Sequence, residues 1–232
     1  MGLKADLEEY CKKTLADRWT KTDATKVPEA DDLGLGNEAK LLDGVVLYAD
    51  LADSTKLVKN HKDLFAAEVY KTFLYSTAKV IRACGGAVTA YDGDRVMAVF
   101  IGESKNSDAA RCAVQINWAT KNIVSPAILK QYPDTTYRIK HKVGIDASDL
   151  FITRTGIRGS NDLVWVGNSA NNAAKLAALS TDYPTYITAA VYGRLNEMSK
   201  FGGDPKRDMW TDLGTKDLGY RIHGSTFWWS VS

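Results

Sequence analysis

Asp50 interrupts an otherwise apolar run, GVVLYADLA, just before the chain turns at Ala52-Asp53-Ser54. A carboxylate at the end of a buried strand is costly unless something compensates it. For an isolated acid, backbone N–H groups at a helix start do this. A second acid changes the reading. Asp94 closes the turn Asp92-Gly93-Asp94, between AVTAY and VMAVFI, which together read as a hairpin. If the first strand and this hairpin are sheet neighbours, two carboxylates converge and repel each other unless divalent cations lie between them. The intervening turn, Leu51-Ala52-Asp53-Ser54-Thr55, leads into a helix whose free N–H groups favour an anion. Metal-binding carboxylates beside an anion cradle point to a polyphosphate ligand and a two-magnesium site.

The elements that must position these residues are legible in the same way. GVVLYADL reads as a buried strand followed by one long helix, capped by Asp53, Ser54 or Thr55. Leu57, Leu64, Phe65, Val69, Phe73, Val80 and Ile81 form the apolar stripe of that helix, and Gly85-Gly86 ends it. After the hairpin comes a second helix through AARCAVQINWATKNIV, capped near Ser107 or Asp108. YRIKHKVGIDASDLFI reads as strand material broken at Gly144, TRTGIRGSND as a hairpin tip, LVWVG as a strand and SANNAAKLAALS as a helix. TYITA and the aromatic end YRIHGSTFWWSV are further strand candidates. The order β-α-β-β-α-β is that of an α+β, ferredoxin-like split βαβ fold, an antiparallel-rich sheet covered by helices. Residues 1–43 form an appendage with a short amphipathic helix carrying Leu3, Leu7, Tyr10, Cys11 and Leu15, expected to pack on the main domain of 44–232 or on a second subunit.

Composition narrows the partners. With 30 basic and 28 acidic residues in 232, no excess of positive charge marks a nucleic-acid binder. No apolar run approaches the roughly 20 residues of a membrane helix. The start MGLKADLEEYCKK carries charges where a secretory core is apolar, and Cys11, Cys84 and Cys112 lack CxxC spacing. A cytoplasmic chain with buried thiols is the expectation. His61, His141 and His223 are far apart in sequence and suggest no zinc site.

Taken together, VVLYADLADST, GGAVTAYDGDRVMAVF, KVGIDASDLFI and VWVGNSANNAAKLAAL resemble the motifs of class III nucleotidyl cyclase catalytic domains, over residues 44 to about 222. The resemblance implies metal ligation by Asp50, the Leu51 carbonyl and Asp94, with two Mg2+ or Mn2+ ions as cofactors. It implies phosphate contacts from Ala52, Asp53, Ser54 and Thr55. It places the ribose-positioning asparagine at Asn171 and the transition-state cation at Lys175, one helical turn apart. Asn172 is the alternative asparagine, with Lys175 then a solvated cation. The family usually has arginine where Lys175 stands, and lysine keeps the charge without the bidentate fork. Lys216, in DLGTKDLG, is either a further phosphate-binding lysine or a surface one. In this family the asparagine and cation come from the opposite subunit to the aspartates, so a homodimer with composite active sites is implied.

Purine-specific members carry a polar residue four before the second metal aspartate, and adenine-specific ones an aspartate seven before the asparagine. Here those positions hold Ala90 and Val164, which offer a base no polar side chain. Tyr91 and Trp165 beside them are available to stack on a base or shrink the cavity, with core packing the alternative for each. The pattern is similar to bacterial pyrimidine cyclases of anti-phage signalling. That resemblance implies cyclic UMP or cyclic CMP as product, sensed by a separate effector protein. Uracil and cytosine are not distinguished. A purine cyclase with an atypical pocket and a degenerate nucleotide-binding domain are the other readings, whereas a diguanylate cyclase fits poorly because the GGDEF hairpin is absent.

Overall fold

The computed structural model describes residues 2–179 and 182–231. The chain divides into two compact units, Met1–Asp43 with Asp149–Gly167, and Gly44–Ser148 with Asn168–Ser232. Strands β2 (Glu38–Leu51) and β5 (His141–Ile157) run through both.

In the larger unit, the sheet has the order β10-β11-β7-β5-β2-β4-β3. Here β3 is Ala87–Asp92, β4 Arg95–Phe100, β7 Thr185–Thr188, β10 Thr211–Asp212 and β11 Ile222–Ser225, while β8 (Phe201–Gly202) and β9 (Arg207–Asp208) form a separate pair. Strands β5 and β7 pair in parallel, while β2 with β4, β3 with β4, and β7 with β11 pair antiparallel. The larger unit's stretch of β2 reads as a nearly unbroken apolar run because it is central: Val45, Val46, Leu47 and Ala49 are fully buried. Against the sheet lie α3 (Asp63–Ala83) and α4 (Lys105–Ala119). Phe65, Val69, Phe73 and Ile81 of α3 face the core, and truncating a buried ring such as Phe73 would cost about 3–5 kcal/mol. Leu64, expected on that stripe, is 67% exposed, because it lies one residue off the packed face.

Several expectations are corrected. The single long helix after the first strand is two, α2 (Ser54–Asn60) and α3, since the chain extends at His61 and Lys62. The second helix starts at Lys105, with Ser104 before it, rather than near Ser107. It then passes through a π-helical turn, Thr120–Val124, into α5 (Ser125–Gln131). Strand β5 does not break at Gly144. A Cβ there would lie 2.1 Å from the Ala173 carbonyl oxygen, so the glycine permits a close helix approach within a continuous strand. The first strand begins at Glu38 rather than at residue 44. The aromatic end is strand only over Ile222–Ser225. Beyond it Phe227 and Trp229 pack on the core, and the Trp229 N–H donates to the Val114 carbonyl. Cys84 and Cys112 are buried, but Cys11 is exposed.

The smaller unit comprises α1 (Leu3–Ala16), β1 (Thr20–Asp23) paired in parallel with the start of β2, and the hairpin of β5 with β6 (Ser160–Val166). The hairpin turn is only Arg158-Gly159, and most of the expected tip is strand. Trp19 packs edge-on against Phe151, and Arg154 ties the hairpin to the Leu33 carbonyl and Asp31. The α1 stripe is real but uncovered, with Leu3, Leu7, Tyr10 and Leu15 all more than half exposed. Among the described residues, no helix is long and apolar enough to cross a membrane.

Candidate active site

Register brings the two acids together. Strands β2 and β4 pair so that Asp50 stands opposite Arg95, the residue after Asp94, and the Leu51 N–H donates to the Asp94 carbonyl at 3.3 Å. The turn needs Gly93, whose φ of 60° is disfavoured for residues with a side chain. Asp50 is mostly buried, and its Oδ1 is a buried atom without a hydrogen-bond partner among the described residues. Burial first, then the Asp94 carboxylate, push its carboxyl up to about 6, against the pull of Arg95. The Arg95 guanidinium lies 3.7 Å from Asp50 Oδ2. Two adjacent carboxylates, one with an unsatisfied oxygen and too little positive charge nearby, form the hard-oxygen environment that suits a divalent cation. Among the described residues no cluster of three or more His, Cys, Asp or Glu side chains could hold a metal, so water, carbonyls or substrate oxygens would complete the coordination.

Beside Asp50 and Leu51 opens a cleft of about 590 Å³, lined by the whole turn Ala52–Thr55. The turn is less free than its sequence implies. The Ala52 N–H donates to the Lys140 carbonyl at 2.9 Å, Asp53 adopts a left-handed φ of 60°, and its carboxylate accepts from Lys56 Nζ at 2.7 Å. That ion pair offsets a negative charge where an anion is expected to sit. Lys140 and Lys142 also line the cleft, and sequence reasoning missed both. Their spacing was the available signal, since alternate residues at a strand start share a side. Lys142 donates to the Tyr183 carbonyl at 2.8 Å, and burial holds its ammonium below the usual range while Asp182 pulls the other way.

Asn171 and Lys175 lie on α6 (Asn168–Ala177), on its exposed face. Neither lines the Asp50 cleft of the same chain, although Ala177 at the end of α6 does. The rotation of α6 is fixed from beneath. Asn172 Nδ2 donates to Asp146 Oδ2 at 2.8 Å, Thr188 Oγ1 donates to Asp146 Oδ1 at 2.6 Å, and the Ser169 N–H donates to Ser148 Oγ at 3.0 Å. Asn172 is thus engaged inward with a buried aspartate, leaving Asn171 as the outward asparagine one turn from Lys175. The Ser180 expected to close this helix lies outside the described residues. Lys216 sits in a short exposed 3-10 turn and does not line the cleft.

The four expected base-pocket residues lie on two strands, one in each unit. On β3, Ala90 is half-buried opposite Met97, and Tyr91 is 58% exposed, so it is not a core residue of the chain. On β6 burial alternates: Trp165 is half-buried opposite Ile152, while Val164 is on the exposed face.

The fold coincides with that of solved nucleotide cyclases. The chain superimposes on a bacterial light-regulated adenylyl cyclase with a TM-score of 0.67 at 19% identity, over 82% of this chain and 53% of that one. A guanylyl cyclase matches with a TM-score of 0.68 at 14% identity, over 82% of this chain and 95% of that one. The fold is therefore that of the class III nucleotidyl cyclases. No protein-family model matches the chain. Among curated proteins it is 49% identical over 211 residues to a uridylate cyclase of Xanthomonas perforans, covering 90% of each. It is 47% identical to a uridylate cyclase of Burkholderia cepacia, over 100% of both chains. A third, from a Rhodovulum strain, is 34% identical over 98% of each chain. The chain belongs to the uridylate cyclase family of nucleotidyl cyclases.

Proposed function

We propose that this chain closes UTP to 3′,5′-cyclic UMP with release of diphosphate, acting as a homodimer whose two active sites are each built from both subunits. The observation that carries the cyclase chemistry is Asp50, which has an unsatisfied carboxylate oxygen, neighbours the Asp94 carboxylate and lines a cleft containing Lys140 and Lys142. The choice of uracil rests on the relatives named uridylate cyclase and on the apolar Ala90 and Val164, which supply no purine-reading group.

In the reaction, the ribose 3′ oxygen forms a bond to the α-phosphorus as the bond from that phosphorus to the bridging oxygen breaks, and the hydroxyl proton passes to solvent. Two divalent ions at Asp50, Asp94 and the Leu51 carbonyl would make the hydroxyl more acidic and neutralise the β and γ phosphates. Ser54, Thr55, Lys140 and Lys142 hold the triphosphate. Asn171 of the partner subunit orients the ribose, and Lys175 of the partner subunit balances charge growing on the α-phosphoryl oxygens. Exposure of Asn171 and Lys175, away from their own chain's cleft, supports this division of labour. The product is read as a second messenger for a separate effector in anti-phage defence, as the sequence resemblance implies.

Purified protein incubated with each of UTP, CTP, ATP and GTP, plus Mg2+ or Mn2+, tests this by mass spectrometry of the products. Cyclic UMP from UTP is expected to dominate. Cyclic CMP would move the assignment to cytosine, a dominant purine product would overturn it, and no product from any nucleotide would leave a binding domain.

A further inference from the structure

We propose that α1 pairs antiparallel with α1 of a second copy of the chain, clasping the homodimer at its amino-terminal segments. The helix needs cover. It is 14 residues long and none of them is buried, a length at which an isolated helix is only marginally stable in water. It is tied down near its end, where the Asn37 amide donates to the Thr14 and Asp17 carbonyls at 2.8 and 2.9 Å. Leu3, Leu7, Tyr10 and Thr14 recur at steps of four, three and four, the period of a two-helix seam. Of that seam, Leu3, Leu7 and Tyr10 are 75%, 56% and 54% exposed.

Charge selects what covers it. The helix carries Asp6, Glu8 and Glu9 toward its start and Lys12 and Lys13 toward its end, with Lys4 the exception. These three acids and three bases cancel, whereas a membrane-surface helix has a basic polar face. The two halves instead complement each other when two copies run in opposite directions. Asp6 and Lys13 flank the same side of the seam, each one residue before a seam position. In an antiparallel pair like flanks face each other, so Asp6 meets Lys13 of the partner subunit, and the two-fold axis repeats the pair. A parallel pair would set Asp6 against Cys11 of the partner subunit and form no such ion pair. Among the described residues, neither Asp6 nor Lys13 has an ion-pair partner in its own chain, whereas Lys4 already pairs with Glu8 at 3.7 Å.

Three apolar side chains a side bury less than the roughly 1,200 Å² of a stable interface. The contact therefore rests on the homodimer of the proposed function and adds to it, as a second link between the same two subunits.

The experiment uses the full chain. Cys11 is exposed while Cys84 and Cys112 are buried, so a thiol-specific nitroxide attaches at Cys11. With helix axes about 8–10 Å apart, the two labels of a dimer are expected within about 25 Å by pulsed electron spin resonance. Leu7→Lys is expected to remove that short distance and raise the dimer dissociation constant about tenfold in sedimentation, with the cyclase rate of the remaining dimer unchanged. Asp6→Lys and Lys13→Asp each oppose like charges and are expected to weaken the dimer about threefold at low salt, and the double variant to restore it. A dimer whose labels lie beyond about 40 Å, or a double variant no better than the single ones, would overturn the pairing and leave the shared active site standing. A chain that never dimerises would overturn both readings. A lower melting temperature of the monomer in Leu7→Lys would give the stripe to the chain's own fold. Release of Leu7→Lys from phosphatidylserine vesicles, with the short distance intact, would give it to a membrane. Either result also overturns the proposal.

Discussion

The two ends of the larger unit that carry candidate catalytic groups are built on opposite principles. At the β2–β4 end, Asp50 is buried beside Asp94, with one oxygen unsatisfied and its carboxyl raised to about 6. On α6, Asn171 and Lys175 are exposed, and the order comes from beneath, where the buried Asp146 accepts from Asn172 and Thr188. One end stores an electrostatic cost that the proposed cations would relieve. The other is a prepared surface that its own chain's cleft does not use. The contrast is the one that the proposed shared site requires: one chain would supply two half-sites, each incomplete for a different physical reason.

Removing the stored cost should separate activity from stability most sharply. Asp50→Ala or Asp94→Ala is expected to abolish cyclase turnover, a loss of more than about a thousandfold, while the fold persists by circular dichroism. The metal-free wild type should show the matching pH signature. Asp50 has a folded pKa of about 6, above the ordinary 3.8, so the folded state holds its proton more tightly than the unfolded chain does. Stability is then full below the ordinary value and falls as pH rises through about 6, by up to about 3 kcal/mol. Asp50→Asn should flatten this dependence in denaturant titrations and melt higher than the wild type at pH 8.

The exposed half should behave in reverse. Lys175→Ala is expected to lower kcat by about 10²–10³ with no change in melting temperature, and Lys175→Arg to restore most of the rate. A stability loss in Lys175→Ala would place the residue in packing instead. Beneath it, Asp146→Ala strands the Asn172 amide and the Thr188 hydroxyl, and should cost about 2–3 kcal/mol in chemical denaturation.

The two halves were also unequally legible in the sequence. Asp50 stood out because an acid inside an apolar strand demands an explanation, and Gly93-Asp94 because a tight turn names itself. Asn171 and Lys175 came from the resemblance and their i, i+4 spacing, with Asn172 as the alternative; that the Asn172 amide turns inward to Asp146 had no trace in the sequence. Lys140 and Lys142 were missed because lysines at the start of a strand ordinarily face solvent. Gly144 was misread as a break because close approach by a helix leaves no local trace. The aromatic end misled through β propensity, when its backbone is hydrogen-bonded to α4 rather than added to the sheet.

The division into half-sites is tested most directly by mixing two inactive proteins, Asp50→Ala and Lys175→Ala, and allowing subunits to exchange. Random pairing makes half the dimers mixed, each with one intact site, so about a quarter of the wild-type rate should return. A mixture that stays as inactive as its components, with exchange verified by mass, would contradict a site shared between subunits.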